Sequence, residues 1–295
     1  MKWTSAGKMV AVAALVAVPA MSWGQATVGG ATPGIQPGIT NSAHDFTTTT
    51  ANGDAKTKFT PVSTTVAGSV LAIGVCTYCH TPHKAQTTQL LWNHTFSGNT
   101  FTWSDAKSTT AGTTLPTNLN ASYKGPSVKC LSCHDGTVAI GDVSLFAETS
   151  RNGANALNTT LLSDPTIGAQ AGEFQIAGST GDMKGNHPVG VPYPSTGGGL
   201  YNGINTGTGF APSEWNVNPV STGSSLANIR LFTQDANNDI HAIPAGTTAV
   251  ANAGIECSSC HDPHNKQATD DFFLRGRMTG HSQADGYICL QCHVK

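Results

Sequence analysis

The chain has little charge. Asp, Glu, Lys and Arg make up 11% of its residues, against about 25% in an ordinary soluble domain. Its formal net charge of −2 gives no basic surface of the kind that nucleic acids require, so we expect no nucleic-acid partner. Long helical periodicity is also absent, apart from one possible short helix at Asp270 to Met278.

The sequence also lacks an apolar run that would cross a bilayer comfortably, which takes about 20 residues. The apolar stretch from Met9 to Ala20 is short, follows two lysines and precedes a small-x-small site that ends at Ala26. This pattern predicts a secretory signal peptide over residues 1–26, with a retained anchor helix as the alternative. We expect the mature chain, 27–295, to be exported and to have no membrane span.

No cysteine lies outside one five-residue pattern, C-x-x-C-H, which occurs four times. The cysteine pairs are Cys76 and Cys79, Cys130 and Cys133, Cys257 and Cys260, and Cys289 and Cys292; the histidines that follow them are His80, His134, His261 and His293. Two thiols at this spacing add to the two vinyl groups of one porphyrin, and the histidine then lies under the iron as its proximal ligand. The sequence therefore predicts four covalently bound haem c groups.

Three other uses of paired cysteines are a zinc site, a dithiol redox pair and structural disulfides. A zinc ribbon uses C-x-x-C pairs but does not need a histidine directly after each one. With 11 histidines among 295 residues, four such histidines would arise by chance about once in 10⁶ cases. The pattern therefore favours haem over zinc.

Methionine is scarce, because three of the five methionines lie within the predicted signal peptide. Histidine is therefore the expected second axial ligand, and bis-His ligation gives a lower reduction potential than Met/His ligation. Seven histidines remain outside the motifs. The candidate distal ligands are His44, His83, His94, His187 and His264. His241 and His281 have no supporting context, and we expect both to be exposed to solvent.

His83 and His264 each follow a proximal histidine by three residues, in CHTPH and CHDPH. Side chains at this spacing point from the same side of a helical turn and cannot reach opposite faces of one ring. Each therefore serves a different haem or none, and a shared arrangement of this kind would bring haems close together. His94 and His187 have apolar neighbours that could pack on a porphyrin, with a structural role as the alternative.

The motifs divide the chain unevenly. An N-terminal arm over residues 27–75, rich in Thr, Gly and Ser, carries His44. The longest motif-free span includes a haem-free insert over about 195–245, rich in Gly, Thr and Asn, in which residues 228–232 alternate like a strand. We expect one multihaem cytochrome c domain over 27–295, mostly loop with a few short helices, one turn at each motif, and minor β structure. It would be organised around four covalently bound haems that supply the core.

Several segments resemble one family. HDF at His44, CTYCHTPHKA, LWNH, CLSCHDGTVAIG, NHPVG, ECSSCHDPHN, FLR and CLQCH are similar to the exported tetrahaem c-type cytochromes with paired C-x-x-C-H motifs, of the OmcE type. Some members polymerise outside the cell into haem-filled filaments, or nanowires. The resemblance covers most of 45–295, except the Gly-rich insert. It implies bis-His ligation of all four haems, a mostly loop fold and a continuous haem chain, with His44 as a possible ligand donated to a neighbouring subunit.

Together these features favour electron transfer rather than catalysis. The protein would be a subunit of an extracellular filament or a conduit at the cell surface, with redox partner proteins and an extracellular electron acceptor. A soluble periplasmic electron shuttle is the alternative in the same class. A multihaem reductase is the alternative in a different class; it needs an iron with an open position, which seven spare histidines for four irons disfavour.

Overall fold

The computed structural model describes residues 38–39, 42–46, 63–66, 69–72, 75–83, 85–87, 89–110, 112–143, 145–146, 149–150, 166–167, 174–194, 200–205, 214–216, 227–244, 247, 252–266, 268 and 272–294. The predicted signal peptide and most of the predicted N-terminal arm lie outside these residues. Among the described residues, no helix is long and apolar enough to cross a membrane.

The α-helices of the described residues are short, and each carries a C-x-x-C pair. They are α1 (Ser127–His134), α2 (Cys257–Cys260) and α3 (Ile288–Cys292), and a 3₁₀ segment lies at Gln89–Leu91. The first motif forms a turn instead, in which the His80 N–H donates to the Cys76 carbonyl at 2.8 Å. The single turn predicted for each motif fits α2 and α3, whereas α1 is longer because it begins three residues before its motif, after Pro126.

The strands are also short, and all their pairings are antiparallel. They are β1 (Ser63–Val66), β2 (Ser69–Ala72), β3 (Leu145–Phe146), β4 (Thr149–Ser150), β5 (Val191–Pro192), β6 (Leu200–Tyr201), β7 (Ile204–Asn205), β8 (Phe232–Gln234), β9 (Ile240–Ala242) and β10 (Ala253–Ile255). Four of them form one sheet in the order β5-β10-β8-β9, and the others pair as hairpins. Because β10 runs into α2 through Glu256 alone, the sheet fixes the position of the third motif.

Part of the predicted haem-free insert belongs to this sheet, since β8 and β9 lie within 195–245. The strand predicted at 228–232 is displaced and begins only at Phe232. Asn228 and Arg230 do not extend it, because their N–H groups donate to the carbonyls of Arg275, at 2.6 Å, and Ser259, at 3.2 Å. Tertiary contacts near the third motif therefore replace the local strand preference.

The helix predicted at Asp270 to Met278 is wrong over its described part, 272–278, which is irregular. Phe272 and Phe273 have φ angles of 58° and 59°, which do not occur inside a right-handed helix. The Arg275 N–H donates to the Cys260 carbonyl at 2.7 Å. This segment is thus held against the third motif rather than coiled on itself.

The main apolar core consists of buried side chains that lie between positions 101 and 255. Two smaller clusters pack directly against motif cysteines. The expectation that haems supply the core stays a prediction, and the described residues also form a core of protein side chains. Aromatic and aliphatic residues from the span between the first two motifs, from α1 and from the long motif-free span, with the sheet, form this core.

Leu119 tests this protein core, because its side chain is completely buried and lies outside every motif. Replacing Leu119 by Ala should lower the free energy of unfolding by about 2–5 kcal/mol, since it leaves a cavity. The matched control is Leu200→Ala at a side chain that is 54% exposed, which should change stability by no more than about 0.5 kcal/mol. Denaturant titration followed by circular dichroism measures both, and equal effects would contradict the assignment of Leu119 to the core.

Candidate cofactor-binding site

Each motif presents its three reactive side chains on one side of a turn. The His261 and His293 N–H groups donate to the carbonyls of Cys257 and Cys289, each at 3.0 Å, as His80 does in the first motif. Residues at i, i+3 and i+4 of such a turn lie on one face. The two cysteines and the histidine of a motif can therefore meet one flat group lying against that face.

None of the eight motif cysteines, all of which lie within the described residues, forms a disulfide. Burial, with the neighbouring Cys76 as a second cause, raises the pKa of Cys79 to about 12. Burial likewise raises the pKa of Cys260 to about 11, and it raises the pKa values of Cys133 and Cys292. Zinc sites and redox dithiols work through the thiolate, which a raised pKa disfavours. Among the described residues, no three His, Cys, Asp or Glu side chains group as ligands of one metal ion.

The motif histidines are oriented by backbone carbonyls. His80 Nδ1 lies 2.6 Å from the Leu90 carbonyl oxygen. His134 Nδ1 lies 2.8 Å from the Phe174 carbonyl oxygen, and His261 Nδ1 lies at the same distance from that of Phe272. With Nδ1–H donating to a carbonyl, Nε2 is the unprotonated nitrogen that a metal can bind.

Three motif histidines have a second histidine ring nearby, from a remote part of the chain. The pairs and their ring-centroid distances are His44 and His134 at 6.2 Å, His80 and His264 at 6.1 Å, and His187 and His293 at 6.5 Å. An imidazole nitrogen binds a transition metal at about 2.0–2.1 Å and lies about 1.2 Å from its ring centroid, so two imidazoles on opposite sides of one metal have centroids about 6.4 Å apart. The three pairs have this spacing.

The remote histidines share the features of the motif histidines. His44 Nδ1 lies 3.3 Å from the Pro263 carbonyl oxygen, and His187 Nδ1 lies 2.9 Å from that of Pro188. Burial, with the nearby His134 as a second cause, lowers the pKa of His44 to about 4. Burial also lowers the pKa values of His134 and His264. Neutral imidazole is the form that binds a metal, so the residues fit a porphyrin iron with two axial histidines at three motifs.

His264 follows the third motif by three residues, but its ring lies beside that of His80 in the first motif. The His264 ring lies near His80 and not at the pair distance from His261, which agrees with the spacing argument that excludes His264 from the ring of its own motif. A buried ion pair fixes the loop from His261 to His264. Arg275 Nη2 lies 3.3 Å from Asp262 Oδ1. Arg275 Nε also donates to the His261 carbonyl at 3.1 Å.

Asp262 and Arg275 were not among the residues singled out by sequence reasoning, although both lie in segments that carry the family resemblance. Charged side chains this deeply buried are rare unless paired, but burial is not visible in the sequence. Charged residues are rare in this chain, so the Asp in CHDPH and the Arg in FLR were the sequence features that could have pointed to this ion pair. Both hold the third motif in place.

The other candidate histidines are placed differently. His83 is exposed. His94 is buried, and both of its ring nitrogens contact backbone carbonyls, with Nδ1 2.8 Å from Thr95 and Nε2 2.9 Å from Ala139. His94 Nε2 also lies 3.5 Å from the Cys133 sulfur. In the described part of the chain, which includes all eleven histidines, His261 has no second histidine ring at the distance found for the three pairs.

The two histidines that we expected to be exposed to solvent lie at the surface, as predicted. His241 is exposed, and its Nε2 lies 3.1 Å from Asp235 Oδ2. His281 is also exposed. A comparison of the chain with protein-family models finds no match, and a comparison with curated proteins finds none either.

The pairing of His264 with His80 predicts which haem responds to a change at His264. Replacing His264 by Met should raise the reduction potential of the haem at Cys76 and Cys79, because Met/His ligation has a higher potential than bis-His. Redox titration with site-resolved paramagnetic NMR measures each haem separately. His281→Met, at an exposed histidine, is the control and should change none. A shift confined to the haem at Cys257 and Cys260 would contradict the pairing.

Proposed function

We propose that the protein transfers electrons through four c-type haems and performs no substrate chemistry. The observation that carries this proposal is the set of three histidine pairs, each built from a motif histidine and a remote histidine at a centroid distance of 6.1 to 6.5 Å. The C-x-x-C-H spacing alone requires only the proximal ligand. A second imidazole at the distance for ligation across one metal is an independent feature of the fold.

The chain's own residues would hold the cofactor and fix its ligands. The cysteine pairs would attach each ring at two points, and Nδ1–carbonyl bonds at His80, His134 and His261 leave Nε2 as the nitrogen that would bind the iron. Bound haem supplies one-electron chemistry at the iron. An iron held by two histidines would leave no position for a substrate, which suits a carrier and not an enzyme.

Contacts between successive motifs support a continuous electron path. Cys79 of the first motif and Cys133 of the second pack against one apolar cluster, defined by Tyr78, Ile140, Val143 and Ile167. α1 and α2 contact each other, and the nearby Cys130 thiol is the first cause of the raised pKa of Cys257.

The third and fourth motifs are joined in the same way. Cys260 and Cys292 pack against a cluster of Ile229, Leu274 and Ile288. After burial, the nearby Cys260 is the second cause of the raised pKa of Cys292. Each motif is therefore next to the one that follows it along the chain, so rings attached at the four motifs would be neighbours in the order of the sequence.

We also propose that the exported protein assembles with copies of itself, as a filament subunit or surface conduit that delivers electrons to an extracellular acceptor. His44 lies beside His134 of its own chain, so a ligand role in a neighbouring subunit requires exchange of the N-terminal arm between subunits. An exchanged element makes the same contacts between subunits as within one, and a head-to-tail exchange grows an open filament. A periplasmic shuttle would keep the arm in its own chain.

One observation favours a second candidate function. His261 has no second histidine ring at the pair distance among the described residues, and an iron with an open position is what a multihaem reductase needs. Under the carrier proposal, the exposed His83 completes this site, from the same chain or from a neighbouring one. The spacing of His83 three residues after His80 excludes it from its own motif's haem.

Carbon monoxide separates the carrier from the reductase, because it binds ferrous haem only at an open or weakly held position. The reduced wild-type protein should bind none, whereas His83→Ala should bind about one per chain, by the requirement for an open position. His281→Ala, at an exposed histidine outside the candidate set, should bind none. Visible difference spectra measure the stoichiometry. One carbon monoxide per wild-type chain would contradict the carrier proposal and favour catalysis.

Replacing His44 by Ala should leave all four thioether-bound haems in place, because no cysteine is changed. The iron at His134 should lose its second axial ligand, so one of four haems becomes high-spin, and polymerisation should be lost if the arm is exchanged. Electron paramagnetic resonance and negative-stain microscopy of the secreted protein measure these outcomes. Filaments of normal length with unchanged low-spin spectra would remove His44 from the interface, and a wild-type protein that stays monomeric when concentrated would favour the shuttle.

A further inference from the structure

Glu256 is a buried carboxylate between the second and third motifs. It lies between β10 and Cys257, and only 1% of its surface is exposed. Its Oε1 accepts hydrogen bonds from the hydroxyl groups of Tyr123 and, at 2.6 Å, Tyr201. Its Oε2 accepts from Ser127 twice, from the backbone N–H at 3.1 Å and from the side-chain hydroxyl at 2.5 Å.

The donors define the charge of this carboxyl. The Ser127 hydroxyl oxygen accepts the Cys257 N–H at 2.9 Å, so its hydrogen is available to Glu256. An ionised carboxylate offers about four acceptor positions, and four donors reach Glu256. Burial raises the pKa of Glu256, and the hydrogen bonds from Ser127, Tyr123 and Tyr201 oppose that effect. The buried Lys129 amine donates to the Lys124 and Gly125 carbonyls at 3.3 Å; burial lowers the pKa of Lys129, and the nearby Glu256 carboxylate opposes that effect.

The backbone around Glu256 leaves room for the two tyrosines. A Cβ atom on Gly254 would lie 2.3 Å from Cε1 of Tyr201, and one on Gly125 would lie 2.3 Å from Cε1 of Tyr123. A helix N-terminus needs only a small polar side chain as its cap, whereas this carboxylate has two buried phenols and a buried serine directed at it. The site therefore has more donors than capping of the four-residue α2 requires.

The position of Glu256 links two cofactor attachment points. It directly precedes Cys257, and its partner Ser127 begins α1, which carries Cys130. The two helices that carry Cys130 and Cys257 are also in contact with each other. A fixed negative charge in a site shielded from water favours the more positive, oxidised state of a nearby iron, and charge near a redox centre is one of the means by which a protein sets its potential.

We propose that Glu256 is a buried anion that lowers the reduction potentials of the haems at the second and third motifs relative to the other two. This inference rests on the proposed function. Glu256 would act on the two haems through its charge, and the two tyrosines and Ser127 would hold the charged group in place. The middle of the proposed electron path would then be lower in potential than its ends.

The test is spectroelectrochemical titration of the purified holoprotein, with each haem resolved. Glu256→Gln keeps the shape of the side chain and removes the charge, so the potentials of the haems at Cys130/Cys133 and Cys257/Cys260 should shift upward while the other two change less. Asp105→Asn, at an exposed carboxylate, is the matched control and should shift none. A folded Glu256→Gln protein with four haems and unchanged potentials would overturn the proposal.

Tyr201→Phe decides the matter if Glu256→Gln does not fold. It keeps the ring against Gly254 and removes one donor, so in alkaline buffer the less neutralised carboxylate should shift the same two potentials downward. A purely structural role does not predict reduction potentials that shift in opposite directions in the two variants. Unchanged potentials in Tyr201→Phe would overturn the proposal. A pyridine haemochrome assay of the wild type separates the two proposals, since a protein without haem would refute the proposed function itself.

Discussion

Two imidazoles that ligate one haem iron would lie on opposite faces of the porphyrin, and two histidines on one helical turn cannot reach both faces. Each of the three histidine pairs therefore joins distant parts of the chain, His44 with His134, His80 with His264, and His187 with His293. The described chain has only short helices and strands, so local structure does little to bring these parts together. Long-range contacts around the motifs therefore determine the fold and the path of the loops.

The sequence predicts the parts of this arrangement that depend on local chemistry. The spacing of C-x-x-C-H implies a turn, and the offset of three between His261 and His264 excludes one shared ring; both are short-range geometry. It does not predict which remote histidine meets which motif, because that depends on the tertiary path. The segment at 272–278 shows the same limit, since its helical pattern yields to a hydrogen bond between Arg275 and Cys260.

The low charge of the chain gives its few buried charges greater weight. Asp262 with Arg275 holds the loop that carries His264, and Glu256 joins the third motif to Ser127 at the start of α1. A buried charge without compensation would cost several kcal/mol. Each of these charged groups is therefore surrounded by donors or acceptors. Such compensation fixes geometry as well as charge, which a path of closely spaced redox centres requires.

The choice between a carrier, a filament subunit and an enzyme depends on the second ligand of the iron that would be bound at His261. Three sites can be completed within one chain, whereas the described residues place no histidine ring at the pair distance from His261. If His83 of the same chain binds there, the protein is complete as a monomer. If a neighbouring chain supplies the ligand, one contact both closes the last coordination sphere and joins the electron paths of two subunits. Because that contact is heterologous, it repeats along an open filament unless its rotation closes a ring. The ligand of one iron would then determine the length of the conducting path.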